Sequence, residues 1–237
     1  MIRLKKNEQE TIMGEDFTQG HRQRLRTRFL EGGERAVADY ELLEMLLYAA
    51  HPRSDVKPLA KKLLHQFGTL SGVVRASTKE LQLVDGMGQA SISIIKVAQV
   101  LVEKVLIQEI QENPVIDSWD KLLTYCKVSM GHLGKEQFRL LFLDRKNRLI
   151  KDEIQQTGTV DQAPVYPREV VQRALEVGAC ALILVHNHPS GDATPSQADI
   201  DVTKRIIKAA EGVDVRIHDH LIIGKNTHTS LRAQGHI

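Results

Sequence analysis

A run of six apolar or small residues, Cys180 to Val185, constrains the fold of this 237-residue chain more than any other stretch. An uninterrupted apolar run of this length is typical of a central strand that is buried on both faces, as in α/β proteins. The run ends at His186, and a loop rich in proline, serine and glycine follows. Because α/β sheets usually bind ligands at the carboxyl ends of their strands, we expect a functional site at this point.

Two histidines and a carboxylate follow the apolar run at a spacing typical of a metal site. His186 and His188 are two residues apart, so in an extended chain their side chains point to the same face. The loop between His188 and Asp199 is long enough to turn the chain back and add a third ligand. Two imidazoles and a carboxylate leave a fourth position for water, as in catalytic zinc sites. The alternative is a pair of histidines at a strand end and an unrelated aspartate in the first turn of a helix.

A second His-x-His, His218-Asp219-His220, shows that the tripeptide alone is weak evidence. It lies between two strand-forming runs, and no loop or spaced carboxylate follows it. A second ligand pair is one interpretation. The interpretation we favour is that its members pack near the site or orient the ligands.

The balance of charges excludes a strongly basic nucleic-acid arm. The chain has 32 lysines and arginines against 30 aspartates and glutamates, and its two halves are balanced alike. DNA binding would therefore need a local arrangement of charge. The sequence has no apolar run of transmembrane length and no signal-peptide pattern, so no membrane partner is expected. Cys126 and Cys180 are expected to be buried, reduced thiols, and these features together predict a cytoplasmic protein.

The N-terminal half predicts helices and no strand. Residues 1–20 lack periodicity and are expected to form a flexible tail. The proline after Asn113 pushes that residue out of the helical region and ends the last helix. We therefore place the domain boundary there, between an all-α domain of residues 21–113 and a second domain of residues 114–237. The predicted helices begin near His21, Asp39, Asp55, Thr78 and Gln89.

Gly86 and Gly88 lie between two predicted helices and can form a tight turn with positive φ. Such a turn exposes backbone amides that can bind a phosphate. The element resembles a helix-hairpin-helix, which contacts the DNA backbone, and the four arginines of the helix Arg22–Arg28 extend that hypothesis. Gln89 follows the turn where a basic residue is common, and Asp85 precedes it. A hairpin used for packing or protein contacts, beside a solvated arginine face, is the alternative.

Strands and helices alternate in the C-terminal half, which predicts an α/β domain. A helix begins at Asp117 or Ser118, Pro167 suits the first position of another, and Ser196 is expected to cap a third. The predicted strands are Glu136–Asp144, Leu149–Gln156, Cys180–Val185, Val213–His218, His220–Ile223 and a short strand near Thr229.

His186, His188, Pro189, Ser196 and Asp199 together match the JAMM (MPN⁺) metalloprotease motif. Over residues 20–237 the chain resembles the RadC (UPF0758) family. The resemblance implies an MPN/JAMM-type α/β domain, a mixed sheet with flanking helices, after an all-α helix-hairpin-helix domain. It also implies that His186, His188 and Asp199 bind Zn²⁺. The residues that carry it are Asp39–Leu47, Gly86–Gly88, Pro167–Glu169, His186–Asp192, Pro195, Ser196, Asp199, Asp219 and His220.

The same resemblance implies a catalytic glutamate and serine. A carboxylate beside the metal takes a proton from water and passes it to the leaving nitrogen. Glu136, at the start of the strand after the first helix of the domain, matches the family's position. Glu153 is the second candidate, and Glu169, in a first helical turn, is the third. Ser196 either donates to the oxyanion of the tetrahedral intermediate or caps its helix, and its hydroxyl can hardly do both.

The leading hypothesis is a zinc-dependent hydrolase that cleaves a peptide or isopeptide bond in an unidentified peptide or protein. The alternative is a DNA-binding repair or recombination accessory protein whose JAMM domain is not catalytic. It would contact the DNA backbone through Gly86–Gly88 and Arg22–Arg28, and a hydrolase recruited to DNA would satisfy both hypotheses. A scaffold with a vestigial metal site is a third. The sequence predicts neither the substrate nor the oligomeric state.

Overall fold

The computed structural model describes residues 20–158 and 165–237. It divides into two compact units, Met1–Ala98 and Gln99–Ile237. Apart from Gly20, the predicted tail of residues 1–20 lies outside the described residues.

The N-terminal unit is all-α, as the sequence predicts. Its helices are α1 (His21–Gly32), α2 (Asp39–Leu47), α3 (Lys57–Phe67), α4 (Leu70–Arg75), α5 (Thr78–Gln82) and the first turns of α6 (Gln89–Glu112), with a 3-10 turn at Gly33–Ala36. Apolar side chains at helical spacing face a common core that includes Leu43, Leu63 and Leu81. The short helix α4 was not predicted. Thr69 caps it by accepting a hydrogen bond from the amide of Gly72.

The division between the two units falls inside α6, at Ala98, rather than after Asn113 where the sequence placed it. Ile110 near the end of α6 is fully buried in the core of the C-terminal unit, and Leu106 and Ile107 pack against that core. Proline ends the helix at the predicted point, but the helix already belongs to the second unit there. Neither α6 nor any other helix of the described residues is long and apolar enough to cross a membrane.

Five strands form one mixed sheet in the C-terminal unit. Its elements are α7 (Trp119–Met130), β1 (Glu136–Leu143), β2 (Leu149–Gly158), α8 (Pro167–Val177), β3 (Ala181–Asn187), α9 (Gln197–Glu211), β4 (Arg216–Ile223) and β5 (His228–Ser230). The strand order is β2-β1-β3-β4-β5, in which β3 and β4 are parallel and the other neighbours are antiparallel. Every residue of β3 is buried, which confirms the central strand predicted from the apolar run.

Helices cover both faces of this sheet. Leu122 of α7 shares a hydrophobic cluster with Ile183 on one face. On the other face, Val170 of α8 and Ile206 of α9 cluster with Leu184. Successive residues of β3 therefore pack into two different hydrophobic cores, one on each face of the sheet. This explains why β3 is apolar along its whole length. The predicted fold class, an all-α region followed by an α/β domain with a mixed sheet, is confirmed.

The second His-x-His lies inside the single strand β4, so the prediction of two separate strands around Asp219 was wrong. Ile217 and Asp219 lie opposite successive residues of β3, which leaves His218 as an extra residue in the pairing. Such a β-bulge shifts the alternation of side chains along a strand. As a result, Ile217 and His220 face the same side of the sheet although they are three positions apart in the sequence.

Candidate metal centre

The three predicted ligands meet at the carboxyl end of β3. Nε2 of His186 lies 2.9 Å from Nε2 of His188 and 3.4 Å from Oδ1 of Asp199. Nε2 of His188 lies 3.5 Å from Oδ2 of Asp199. Donor atoms around a tetrahedral zinc ion, each about 2.0–2.2 Å from the metal, lie roughly 3.3 Å apart. Both the types of donor and their spacing therefore fit zinc.

A tight loop carries the chain from β3 back to α9. The amide of His188 donates to the carbonyl of Ile223 (2.9 Å), and the amide of Lys225 donates to the carbonyl of Gly191 (3.2 Å). A Cβ atom at Gly224 would lie 2.4 Å from that carbonyl oxygen, so only glycine allows this approach. The end of β4 thus holds the ligand loop in place.

Both ligand imidazoles present Nε2 to the centre and Nδ1 to a partner outside it. Nδ1 of His188 lies 2.8 Å from the carbonyl oxygen of Asp192. A carbonyl can only accept, so Nδ1 of this ring carries a proton, and in the neutral imidazole Nε2 then has a lone pair. Nδ1 of His186 lies 2.8 Å from Nε2 of His220. Two imidazole nitrogens that can offer lone pairs and a carboxylate thus converge on one point, a group that a cation fits.

Burial and charge shape the pKa values of the cluster. Burial lowers the pKa of His186 to about 4. The hydrogen bond with Asp199 raises the pKa of His188. Burial alone would raise the pKa of Asp199, but hydrogen bonds from His188 and Ser196, with the nearby His186, hold it well below its usual range. The carboxyl group of Asp199 is therefore ionised at neutral pH, as a metal ligand would need to be.

Glu136 stands opposite the ligand strand at the site. Phe138 of β1 pairs with His186 of β3, and their rings are stacked with centroids 6.2 Å apart. Glu136 precedes Phe138 by two residues, so the antiparallel register directs it toward position 188 on the same face. Its charge contributes to the raised pKa of His188. The fold thus brings the first-choice base beside the ligands.

The two alternative bases are placed differently. Glu153 of β2 pairs with Leu140 of β1, which lies two residues after Phe138. Arg173 of α8 donates to both carboxylate oxygens of Glu153 at 2.6 Å. These hydrogen bonds lower the pKa of Glu153 to about 2. Glu169 is exposed in the first turn of α8. The geometry therefore favours Glu136 over both.

Ser196 adopts the capping arrangement. Its hydroxyl accepts from the amide of Asp199 (3.2 Å) and donates to Oδ2 of the same residue (2.6 Å). The amide of Ser196 also donates to that oxygen at 2.7 Å. In this arrangement the serine orients the carboxylate of a proposed ligand, and its role toward an oxyanion stays a prediction.

The two histidines of the second His-x-His have separate surroundings. His220 is fully buried, and its ring lies against His186, with centroids 4.8 Å apart. Nε2 of His218 instead bonds Oδ1 of Asn147 at 2.7 Å. The prediction that these residues pack beside the site fits His220 but not His218, because the bulge at His218 sends the two rings to different neighbours.

Sequence reasoning missed two residues of the site. Thr203, one turn after Asp199 in α9, is fully buried and contacts His220. Asn187 lies between the two ligand histidines and bonds the backbone of the segment that leads into β1. Its position inside His-x-His was the available signal, since its side chain must point to the opposite face from both ligands.

The glycine turn proposed for DNA contact lies in the N-terminal unit, and it has the predicted positive φ at Gly86 but not at Gly88. Gly86 has a φ of 93°, a value that favours glycine, and the amide of Met87 donates to the carbonyl of Val84 at 3.0 Å. Nζ of Lys62 lies 3.2 Å from the carboxylate of Asp85 beside the turn. The positive charge of Lys62 thus offsets the negative charge of Asp85 beside the turn.

Two of the arginines in α1 are held within the unit. Arg22 donates to three backbone carbonyls of the segment His51–Ser54 and lies over the ring of Tyr48, 4.4 Å from its centroid. Arg28 forms an ion pair with Glu41. These contacts stabilise the helical core, so Arg22 and Arg28 have structural roles independent of any DNA.

Known proteins match both halves of the chain. Residues 116–236 match the family model of the RadC-like JAB domain, and residues 19–93 match that of the UPF0758 N-terminal region. The UPF0758 protein SPO0054 of Ruegeria pomeroyi is 52% identical over 221 residues, which are 93% of this chain and 99% of the relative. The resemblance seen in the sequence is confirmed. The chain belongs to the UPF0758 family, and its C-terminal half is a RadC-like JAB domain.

Proposed function

We propose that the C-terminal domain is a zinc-dependent hydrolase of an amide bond, either a peptide or an isopeptide bond. The observation that carries the proposal is the convergence of Nε2 of His186, Nε2 of His188 and the carboxylate of Asp199 within 4.8 Å of one another. Glu136 precedes Phe138, the partner of His186, by two residues in β1, so it lies on the same face of the sheet as His186. Ligands and a base in this arrangement form a set that amide hydrolysis can use.

Each side chain has a definable task in this reaction. A bound zinc ion supplies Lewis acidity and makes water nucleophilic near neutral pH. His186, His188 and Asp199 hold the ion. Glu136 takes a proton from the attacking water and delivers it to the leaving nitrogen when the carbon–nitrogen bond breaks.

Ser196 contributes in two successive ways. In the arrangement seen here its hydroxyl donates to Asp199 and keeps the carboxylate turned toward the histidines. To stabilise an oxyanion, the hydroxyl of Ser196 has to turn and donate the same proton to the oxyanion instead of to Asp199. The backbone amide of Ser196 keeps its hydrogen bond to Asp199 meanwhile. The backbone bond lets the carboxylate stay in place while the hydroxyl turns.

Variants at the two strand glutamates test this assignment. The zinc-loaded chain is assayed against fluorogenic peptides and isopeptide-linked peptides, with zinc content measured on each sample. We expect Glu136→Gln to keep its zinc and to lose hydrolysis by at least about 100-fold. Glu153→Gln serves as the matched control, because it removes a carboxylate from the neighbouring strand without touching the centre, and it should stay active. Equal activity of Glu136→Gln and wild type, or no cleavage of any probe by zinc-loaded wild type, contradicts the proposal.

A second function, contact with the DNA backbone, is supported by the positive φ of Gly86 at the turn before α6. Backbone-directed binding would weaken with salt in proportion to the phosphates contacted. We propose to measure binding to branched and single-stranded DNA across salt concentrations for wild type and for Gly86→Asp. Unchanged affinity in Gly86→Asp, together with an unchanged salt slope, would exclude this turn as the contact.

A further inference from the structure

We propose that Thr203 and His220 are positioning residues that keep the proton of His186 on Nδ1 and so leave Nε2 free for a metal ion. The inference rests on the proposed function in one respect, that Nε2 of His186 is a metal ligand. The direction of the hydrogen bonds around His186 is a property of the protein alone. It can therefore be tested without the metal.

An unbroken chain of hydrogen bonds runs from His186 to the backbone of α9. Nδ1 of His186 lies 2.8 Å from Nε2 of His220. Nδ1 of His220 lies 2.5 Å from Oγ1 of Thr203. The Thr203 hydroxyl in turn donates to the carbonyl oxygen of Asp199 at 2.5 Å. Both Thr203 and His220 are fully buried, so their polar atoms depend on each other.

The carbonyl of Asp199 gives this chain its direction. A carbonyl only accepts, so it takes the single hydroxyl proton of Thr203, as threonines in helices commonly donate to the residue four before them. The oxygen of Thr203 must then accept from Nδ1–H of His220. A neutral imidazole carries one N–H, so Nε2 of His220 accepts from Nδ1–H of His186. Nε2 of His186 is left with its lone pair, pointing at His188 and Asp199.

The reversed chain is incompatible with a metal ligand. If Thr203 donated to His220 instead, Nε2 of His220 would donate to Nδ1 of His186. The proton of His186 would then sit on Nε2, between His188 and Asp199, where the ion must bind. The reversed order would also remove the hydrogen bond from the Thr203 hydroxyl to the carbonyl of Asp199 in the first turn of α9. The loss of this bond disfavours the reversed order.

Asp199 therefore acts on His186 in two ways, through its carboxylate and through its backbone carbonyl. Its carboxylate faces Nε2 of His186 at 3.4 Å, and its backbone carbonyl fixes which nitrogen of that ring is protonated. The bulge in β4 makes this possible, because it turns His220 to the face on which His186 lies. The Phe138 ring forms a T-shaped contact with His220, with centroids 5.4 Å apart, and packs against this second imidazole.

Nitrogen NMR of the metal-free chain tests the direction of the bonds. Long-range ¹⁵N–¹H correlation spectra distinguish a protonated from an unprotonated ring nitrogen, and His186→Gln identifies the signals. We expect wild type to show His186 protonated on Nδ1 and bare on Nε2. Thr203→Val, which removes the hydroxyl at nearly constant volume, should shift His186 toward the Nε2–H form, and Thr203→Ser should restore the wild-type pattern. A wild-type His186 protonated on Nε2, or a pattern unaffected by Thr203→Val, overturns the proposal.

Zinc affinity supplies the second readout. Competition with a chelator should show zinc binding about 10–100-fold weaker in Thr203→Val than in wild type and close to wild type in Thr203→Ser. His218→Gln is the matched control, because His218 bonds Asn147 and takes no part in the hydrogen bonds that link His186, His220 and Thr203. The zinc affinity of this variant should be unchanged. Equal affinity of Thr203→Val and wild type contradicts the positioning role. Wild type that takes up no zinc refutes the proposed function instead, and the metal-free spectra still decide the direction of the chain.

Discussion

The side-chain oxygen of Asn187 accepts a 2.9 Å hydrogen bond from the backbone amide of Gln137. The amide group of Asn187 donates to the carbonyls of Lys135 (3.1 Å) and Leu133 (3.4 Å). Asn187 is 1% exposed, and both of its neighbours in the chain are proposed ligands. One buried side chain thus ties the ligand strand to the segment that carries Glu136.

Replacing Asn187 by alanine should separate the base from the metal ligands. The variant leaves three part-buried backbone groups without the partners that Asn187 supplies, so its free energy of unfolding should fall by about 1–3 kcal/mol. Hydrolysis should fall further than zinc binding, because Glu136 loses its support while the ligands stay. Urea denaturation, zinc titration and rate measurements check these three effects. Gln137→Ala, which keeps the backbone amide, is the control; a rate that falls as far in Gln137→Ala as in Asn187→Ala would contradict this role.

Removing only one partner of the Arg139–Asp152 ion pair is predicted to destabilise the fold strongly. Their charged groups lie 3.0 Å apart, and Tyr125 donates a further hydrogen bond to the carboxylate. The side chains are 11% and 7% exposed, so water can do little to compensate a lone charge. Arg139→Met should therefore lower the free energy of unfolding by about 3–5 kcal/mol. The double variant Arg139→Met/Asp152→Leu should lose less than the two single losses together, as a urea denaturation cycle measures. Additive losses would show that the charges do not interact.

The ion pair of Glu153 and Arg173 gives a stability term with a defined pH window. Hydrogen bonds from Arg173 hold the pKa of Glu153 at about 2 in the folded protein, against an ordinary value of 4.5. The unfolded chain therefore binds the proton first as pH falls. The stabilisation is complete above about pH 4.5 and is lost as pH falls toward 2. Urea denaturation should show wild type more stable than Glu153→Gln at about pH 7, with a smaller difference at about pH 3.5. A difference that does not vary with pH would refute the assignment.

The two cysteines should differ in reactivity. Cys126 is fully buried, and burial raises the pKa of its thiol to about 12. Cys180 is half-buried, so the sequence-based expectation that both thiols are buried holds for Cys126 alone. A thiol reagent should modify Cys180 in the folded protein and reach Cys126 only on unfolding. Mass spectrometry of wild type and Cys180→Ser checks this; rapid labelling of Cys126 in the folded variant would be the opposite result.

Much of the site could be predicted because it is encoded locally. The apolar run before His186 predicts a central strand from local sequence, since a run of strand length bounded by turn residues is typical of a strand buried on both faces. The spacing from His188 to Asp199 allows a loop that returns to the same end of the sheet. The structure brings together His186, His188 and Asp199 as that spacing predicts.

The support of the site could not be predicted, because it depends on pairing between distant strands. Strict alternation from Ile217 would place His220 on the opposite face of the sheet. Only the bulge at His218, seen in the register with β3, reverses this. Thr203 carries no motif at all, and its role follows from the position of His220. The burial of Ile110 near the end of α6 could not be predicted for a similar reason, because later strands complete the core around it.

Zinc titration of the metal-free, folded chain tests the central claim most directly. Wild type and His218→Ala should each bind one zinc ion, while His186→Ala and His188→Ala should bind it at least about 100-fold more weakly, because each loses an imidazole that faces the centre. His218→Ala also removes an imidazole from a His-x-His, so it shows that position and not histidine content decides binding. Folded wild type that stays empty with zinc supplied, or a His188→Ala variant that binds zinc as tightly as wild type, would contradict the account.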